Sequence, residues 1–96
     1  MNTSETLYHV KDGYMVEDIA GKNILIAPAV GNIDYSKMLV LSESAALLIN
    51  HLIKESLSFD ALLKLLLDEY EVDKELASKE LNQLISELNR LNVLEA

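Results

Sequence analysis

Cysteine is absent from this 96-residue chain, which excludes disulfide scaffolds, thiolate zinc sites and nucleophilic cysteines. The core has to hold without covalent staples. Only three glycines and one proline occur, while 50% of the residues are hydrophobic, a balance that excludes disorder and low complexity. Gly13, Gly21 and Gly31 stand apart from one another, so the sequence has no glycine-rich phosphate loop. No apolar run approaches the roughly 18 residues needed to span a bilayer; "ILIAPAV" and "LLKLLL" are far too short. The N-terminal "MNTSETLYHVKDG" is polar and lacks the apolar centre of a secretory signal, so the cytoplasm is the expected compartment. A basic face is missing too. The formal net charge of −8 repels phosphate backbones and anionic membranes, so neither nucleic acid nor a membrane is an expected partner.

The length suits one domain, residues 1–96. Residues 14–29 predict a β-hairpin, because two apolar-rich segments flank Gly21-Lys22 and glycine can supply the positive φ of a tight turn. After the loop "VGNIDYS", residues 37–41 predict a short third strand that leads directly into a helix of about 43–54. Ser42 or Ser44 is its N-cap, and Ala45, Leu48, Ile49 and Leu52 form its apolar face. Ser58 caps a second helix, about 59–70, carrying Phe59, Leu62, Leu63, Leu66 and Tyr70. Asp73 caps a third, about 74–91, where Ala77, Leu81, Leu84, Leu88 and Leu91 recur at steps of four and three. Asn92 is a candidate left-handed residue at its end, after which Val93 and Leu94 fold back on the core. Strands followed by helices give an α+β class: a three-stranded antiparallel β-sheet followed by a three-helix bundle, similar to a winged helix-turn-helix.

Reactive chemistry is hard to find. "DEYEVD", residues 68–73, could attract a hard cation but lacks the glycine and fixed oxygen spacing of a specific loop, so it reads as a solvated helix end. His9 and His51 stand in different elements, and no metal or other cofactor is expected. Ser42, Glu43 and Ser44 have no base or oxyanion motif beside them and are explained by capping. The third helix offers Lys79, Asn82, Gln83, Asn89 and Arg90 to DNA, but Glu75, Glu80 and Glu87 on an acidic chain oppose phosphate contact. An enzyme and a DNA-binding regulator are therefore the weaker hypotheses.

The informative feature is an apolar surplus. Leu47, Leu65, Leu67 and Leu76 lie off the main stripes of their helices; singly each suits a small wrapped core, while together Leu47, Leu65 and Leu67 suggest a partner or homodimer surface. In the third strand Leu39 and Leu41 point one way, Met38 and Val40 the other. If that strand lies at a sheet edge, its unpaired backbone groups beside apolar surface can accept an added peptide strand.

"LVLSESAALLINHL" (39–52), "SFDALLKLLLDEYEVDKE" (58–75) and "LNQLISELNRLNVL" (81–94) together resemble the PqqD-like proteins, named for coenzyme PQQ synthesis protein D. Leu41-Ser42-Glu43, Tyr70-Glu71-Val72-Asp73 and the leucine-rich Leu88 to Leu94 meet that family's pattern in order, from the hairpin to the C-terminus. The family's final helix often ends on glycine, where this chain has Asn92.

The resemblance implies a non-catalytic peptide-recognition element. Such a module takes the leader of a ribosomally made precursor peptide as an added strand and presents it to a modifying enzyme, often a radical SAM protein. Carried onto this sequence, the edge is Lys37, Met38, Leu39, Val40 and Leu41, and the groove wall comes from the third helix. Of that helix's two borders, Leu84, Glu87 and Leu91 are favoured over Ser78, Asn82 and Asn89 because they are more apolar. Proline at Leu39 or Val40 is expected to abolish binding by removing a backbone donor. A dimerisation module without a peptide ligand is the main alternative.

Overall fold

The computed structural model describes residues 6–28 and 39–95. Its elements in chain order are β1 (Leu7–Tyr8), β2 (Met15–Ile19), β3 (Lys22–Ile26), β4 (Leu39–Leu41), α1 (Glu43–Lys54), β5 (Leu57–Ser58), α2 (Phe59–Glu69) and α3 (Lys74–Arg90). The main sheet is antiparallel with order β2-β3-β4, so the α+β class of three strands followed by three helices holds.

The hairpin turn sits one residue earlier than the sequence suggests. Ala20 and Gly21 are its central residues, with φ of 55° and 81°, and Lys22 already belongs to β3. Two positive φ values define the type I′ geometry, whose twist matches that of the paired strands. The Gly21 N–H donates to Asp18 Oδ1 at 3.0 Å, which closes the turn. Ala20 carries a Cβ in left-handed backbone, a conformation that costs an ordinary L-residue about 1 kcal/mol. Ala20→Asn should therefore raise stability by roughly 0.5–1 kcal/mol, visible as a thermal midpoint about 2–6 °C higher. An unchanged or lower midpoint would show that the turn is not strained.

One face of the sheet covers the core. Val16, Leu25 and Leu39 stand opposite one another across the three strands, with Leu41 beside them, and they pack among the buried leucines of the helices. The opposite face carries Met15, Ile19 and Val40, all exposed.

Helix starts follow their caps. Ser42 Oγ accepts from the Ala45 N–H at 3.2 Å and Ser58 Oγ from the Ala61 N–H at 3.1 Å, each satisfying a donor that the helix itself cannot. Asp73 occupies the N-cap position of α3, but its side chain makes no capping hydrogen bond. The end of α3 forms a two-bond left-handed cap: Asn92 has φ 62°, its N–H donates to the Asn89 carbonyl at 3.0 Å, and the Val93 N–H donates to the Leu88 carbonyl at 2.9 Å. This reversal buries Val93 and Leu94.

The N-terminal segment is more structured than its polar composition suggests. β1 pairs antiparallel with β5, forming a second, two-stranded sheet. The Val10 N–H donates to the Leu52 carbonyl at 3.0 Å, the Lys11 N–H to the Val93 carbonyl at 2.9 Å, and the Glu95 N–H to the His9 carbonyl at 2.9 Å. These bonds tie the segment to the end of α1 and to the chain beyond α3. Val10 itself is only 1% exposed.

Candidate functional site

Among the described residues β4 has one hydrogen-bonded neighbour, β3, and lies at the edge of the sheet. The direction of its free backbone groups follows from the hairpin. A two-residue type I′ loop is closed by a hydrogen-bonded pair, here Ile19 and Lys22. Bonded and non-bonded pairs alternate in an antiparallel ladder, so Lys22, Ile24 and Ile26 face β2, while Asn23 and Leu25 turn their N–H and C=O to β4. Their partners Leu41 and Leu39 use their backbone groups internally. Val40, opposite Ile24, directs its N–H and C=O to the open edge. Of the two proline substitutions expected to block an added strand, only the one at Val40 removes an outward donor; proline at Leu39 would break the sheet itself.

A groove of about 690 Å³ runs beside that edge. Leu41, Leu48, Leu66 and Leu81, all buried, contribute to its lining, as do the half-buried Leu39, Ala45 and Leu84. α3 supplies Glu80, Gln83 and Glu87 as its polar members, and α1 supplies Ser42 and Ser44 near its start. The chain passes from β4 into α1 without a linker, so one short stretch positions both the strand and the helix that closes the groove below it.

The rotation of α3 decides which residues face the strand. Its buried residues are Ala77, Leu81, Ile85 and Leu88, so Ile85, rather than Leu84 or Leu91, completes the buried stripe. Leu84 is thereby freed from the centre of the core and stands at the groove, together with Glu87. Leu91 is not among the groove residues. It is the C-cap of α3, beyond the groove's reach, and packs half-buried against the core.

Glu80 and Gln83 also line the groove, a role that the sequence alone does not assign to them. The helical spacing to Leu84 and Glu87 places all four on one border, a signal that becomes readable once the core stripe is fixed. Lys37 and Met38 lie outside the described residues. Leu65 and Leu67 are half-buried against the core, Leu47 is half-buried, and Leu76 is exposed.

Among the described residues the charged groups that line the groove, Glu80 and Glu87, are of one sign. Glu87 pairs with Arg90 one turn later on α3, and a hydrogen bond from the guanidinium, with its positive charge, holds the Glu87 carboxyl below the usual carboxylate range. Glu80 has no ion pair among the described residues. Among the described residues no cluster of His, Cys, Asp and Glu is placed to hold a metal ion, and no helix is long and apolar enough to cross a membrane. What the arrangement offers is backbone hydrogen bonding along one strand edge, an apolar surface under it and carboxylates beside it.

No curated protein matches the sequence significantly. The fold is similar to that of a solved structure of lasso peptide synthetase B1 complexed with the leader peptide, with a TM-score of 0.67, 19% identity, and 93% of this chain and 98% of that one covered. It is equally similar to TbiB1 in complex with the TbiA(beta) leader peptide, with a TM-score of 0.67, 16% identity, and 92% and 95% coverage. At these identities the likeness is one of fold. The family model for coenzyme PQQ synthesis protein D (PqqD) matches residues 23–94, from the central strand β3 through all three helices to the C-terminal bridge with Val10, and the chain therefore belongs to the PqqD family.

Proposed function

We propose that this chain is a non-catalytic module that binds the leader segment of a ribosomally made precursor peptide as an added strand on β4 and presents it to a modifying enzyme. The observation that carries this reading is the open edge at Val40, whose backbone donor and acceptor lie beside an apolar groove between β4 and α3. A peptide strand would exchange two hydrogen bonds with Val40 and set alternate side chains into the groove. Family membership supports the same reading, as does the leader peptide bound in both structural neighbours. The module itself performs no chemistry; the enzyme it serves, of the radical SAM type in the reading that the family resemblance gives, supplies it.

Such a site buries a short strand and a few side chains, near the low end of specific interfaces, so the expected dissociation constant is roughly micromolar. The test is an NMR titration of labelled protein with a leader-length peptide encoded beside its gene. Amide shifts concentrated in Leu39 to Leu41 and in Glu80 to Glu87 are the expected result. Absence of shifts at several hundred micromolar, about a hundredfold above the expected constant, would overturn the reading in favour of a dimerisation module.

A further inference from the structure

The groove does not stop at the end of β4. It continues into a second pocket of about 320 Å³, which shares Ser42, Ser44, Leu66 and Glu80 with it and adds Glu43 from the start of α1 and Tyr70 and Val72 from the chain after α2. The pocket's lining combines apolar groups with two exposed carboxylates, Glu43 and Glu80, and neither carboxylate has an ion pair among the described residues. Among the described residues no basic side chain lines either cavity.

An apolar pocket bordered by carboxylates fits a long side chain with an aliphatic stem and a cationic tip. The opposing effect is the N-terminus of α1, which brings a partial positive charge of about half an elementary unit to the same place. It is already answered. Glu43 sits in that first turn, and Ser42 Oγ occupies the Ala45 N–H. Two full negative charges exceed the residual dipole, and the chain's net charge of −8 adds to the same sign.

On the reading that β4 takes a peptide strand, we infer that the bound peptide carries a lysine or arginine beyond the residue paired with Val40. Its stem lies on Leu66, Tyr70 and Val72, and its charge lies between Glu43 and Glu80. The module thereby selects cationic, apolar leaders and rejects acidic ones by like-charge repulsion.

The probe is an mRNA-display library of random peptides selected on the native full chain. The expected result is enrichment of a basic residue at a fixed offset from apolar positions. Affinity of the enriched peptides, read by fluorescence anisotropy, should fall about fivefold on the Glu43→Gln/Glu80→Gln protein, the size of a partly exposed charge pair. The loss should shrink at high salt. Changing the peptide's basic residue to glutamine should cost the same on the native protein and nothing further on the variant. Because Glu43 also answers the α1 dipole, Glu80→Gln alone, in the interior of α3, repeats the comparison without touching a helix end.

Enriched peptides with no basic preference, or equal affinity for native and variant proteins, would overturn this inference. Enriched peptides that also bind the Val40→Pro protein undiminished would instead overturn strand addition itself. A selection that enriches nothing would overturn both.

Discussion

Val40→Pro should lower the affinity for a groove-binding peptide about a hundredfold while moving the thermal midpoint by no more than a few degrees. The two halves of that expectation have separate causes. Val40 stands opposite Ile24 at a position where the ladder makes no bond, so its N–H points away from β3 and the sheet loses nothing when it is removed. Its side chain is 62% exposed, so little burial is lost. Leu39, which would precede the proline, is already extended, as that position requires. An incoming strand, in contrast, loses a hydrogen bond and meets the pyrrolidine ring where its own backbone must lie. Val40→Ala, which keeps the N–H, should leave affinity within about threefold, since its side chain turns outward. Undiminished binding by the proline variant would rule out the β4 edge as the site.

Val10→Asp should destabilise the fold by about 3 kcal/mol or more, lowering the thermal midpoint by roughly 12–20 °C. Val10 is 1% exposed in the core, and the N-terminal segment around it bonds at once to the end of α1 and to the chain beyond α3. A carboxylate there has no partner and has to be desolvated or to pull the segment away. Releasing the segment would free the Lys11 bond to the Val93 carbonyl and the isolated bridge between Val10 and Leu94, which hold the C-terminal reversal in place. Leu7→Asp is the control: Leu7 is 58% exposed, so its loss should remain within about 0.5 kcal/mol. Equal effects at the two positions would mean that the segment adds nothing beyond local structure. Both variants are checked by thermal and urea denaturation followed by circular dichroism.

These two residues also separate what is legible in a sequence from what is not. The apolar strand and its passage through Ser42 into α1 are local features. So are the serine caps of α1 and α2, and the left-handed Asn92, which lets Val93 and Leu94 turn back. Each depends on groups within a few residues of one another, and each is written in short-range spacing. The hairpin is local as well, yet its turn falls on Ala20-Gly21 because the pairing register, with Ile19 opposite Lys22, outweighs the modest cost of a left-handed alanine.

The N-terminal segment is not legible in the sequence because its apolar pattern is sparse. Leu7 and Val10 stand among polar residues, and the partners that give them structure, Ser58, Leu52 and Leu94, lie far along the chain. The site divides in the same way. By itself the sequence determined an α+β chain with no recognisable catalytic motif, an apolar strand with both faces oily, and a leucine-rich third helix with two borders. Only the tertiary structure decided that this strand is an edge among the described strands, that Val40 directs its backbone groups away from β3, and that Glu80, Gln83, Leu84 and Glu87 form the border facing it. The reason is that a helix's own periodicity fixes where its stripe lies only to within a side chain. Packing against α2 sets the final rotation, placing Ile85 in the core and Leu84 at the groove.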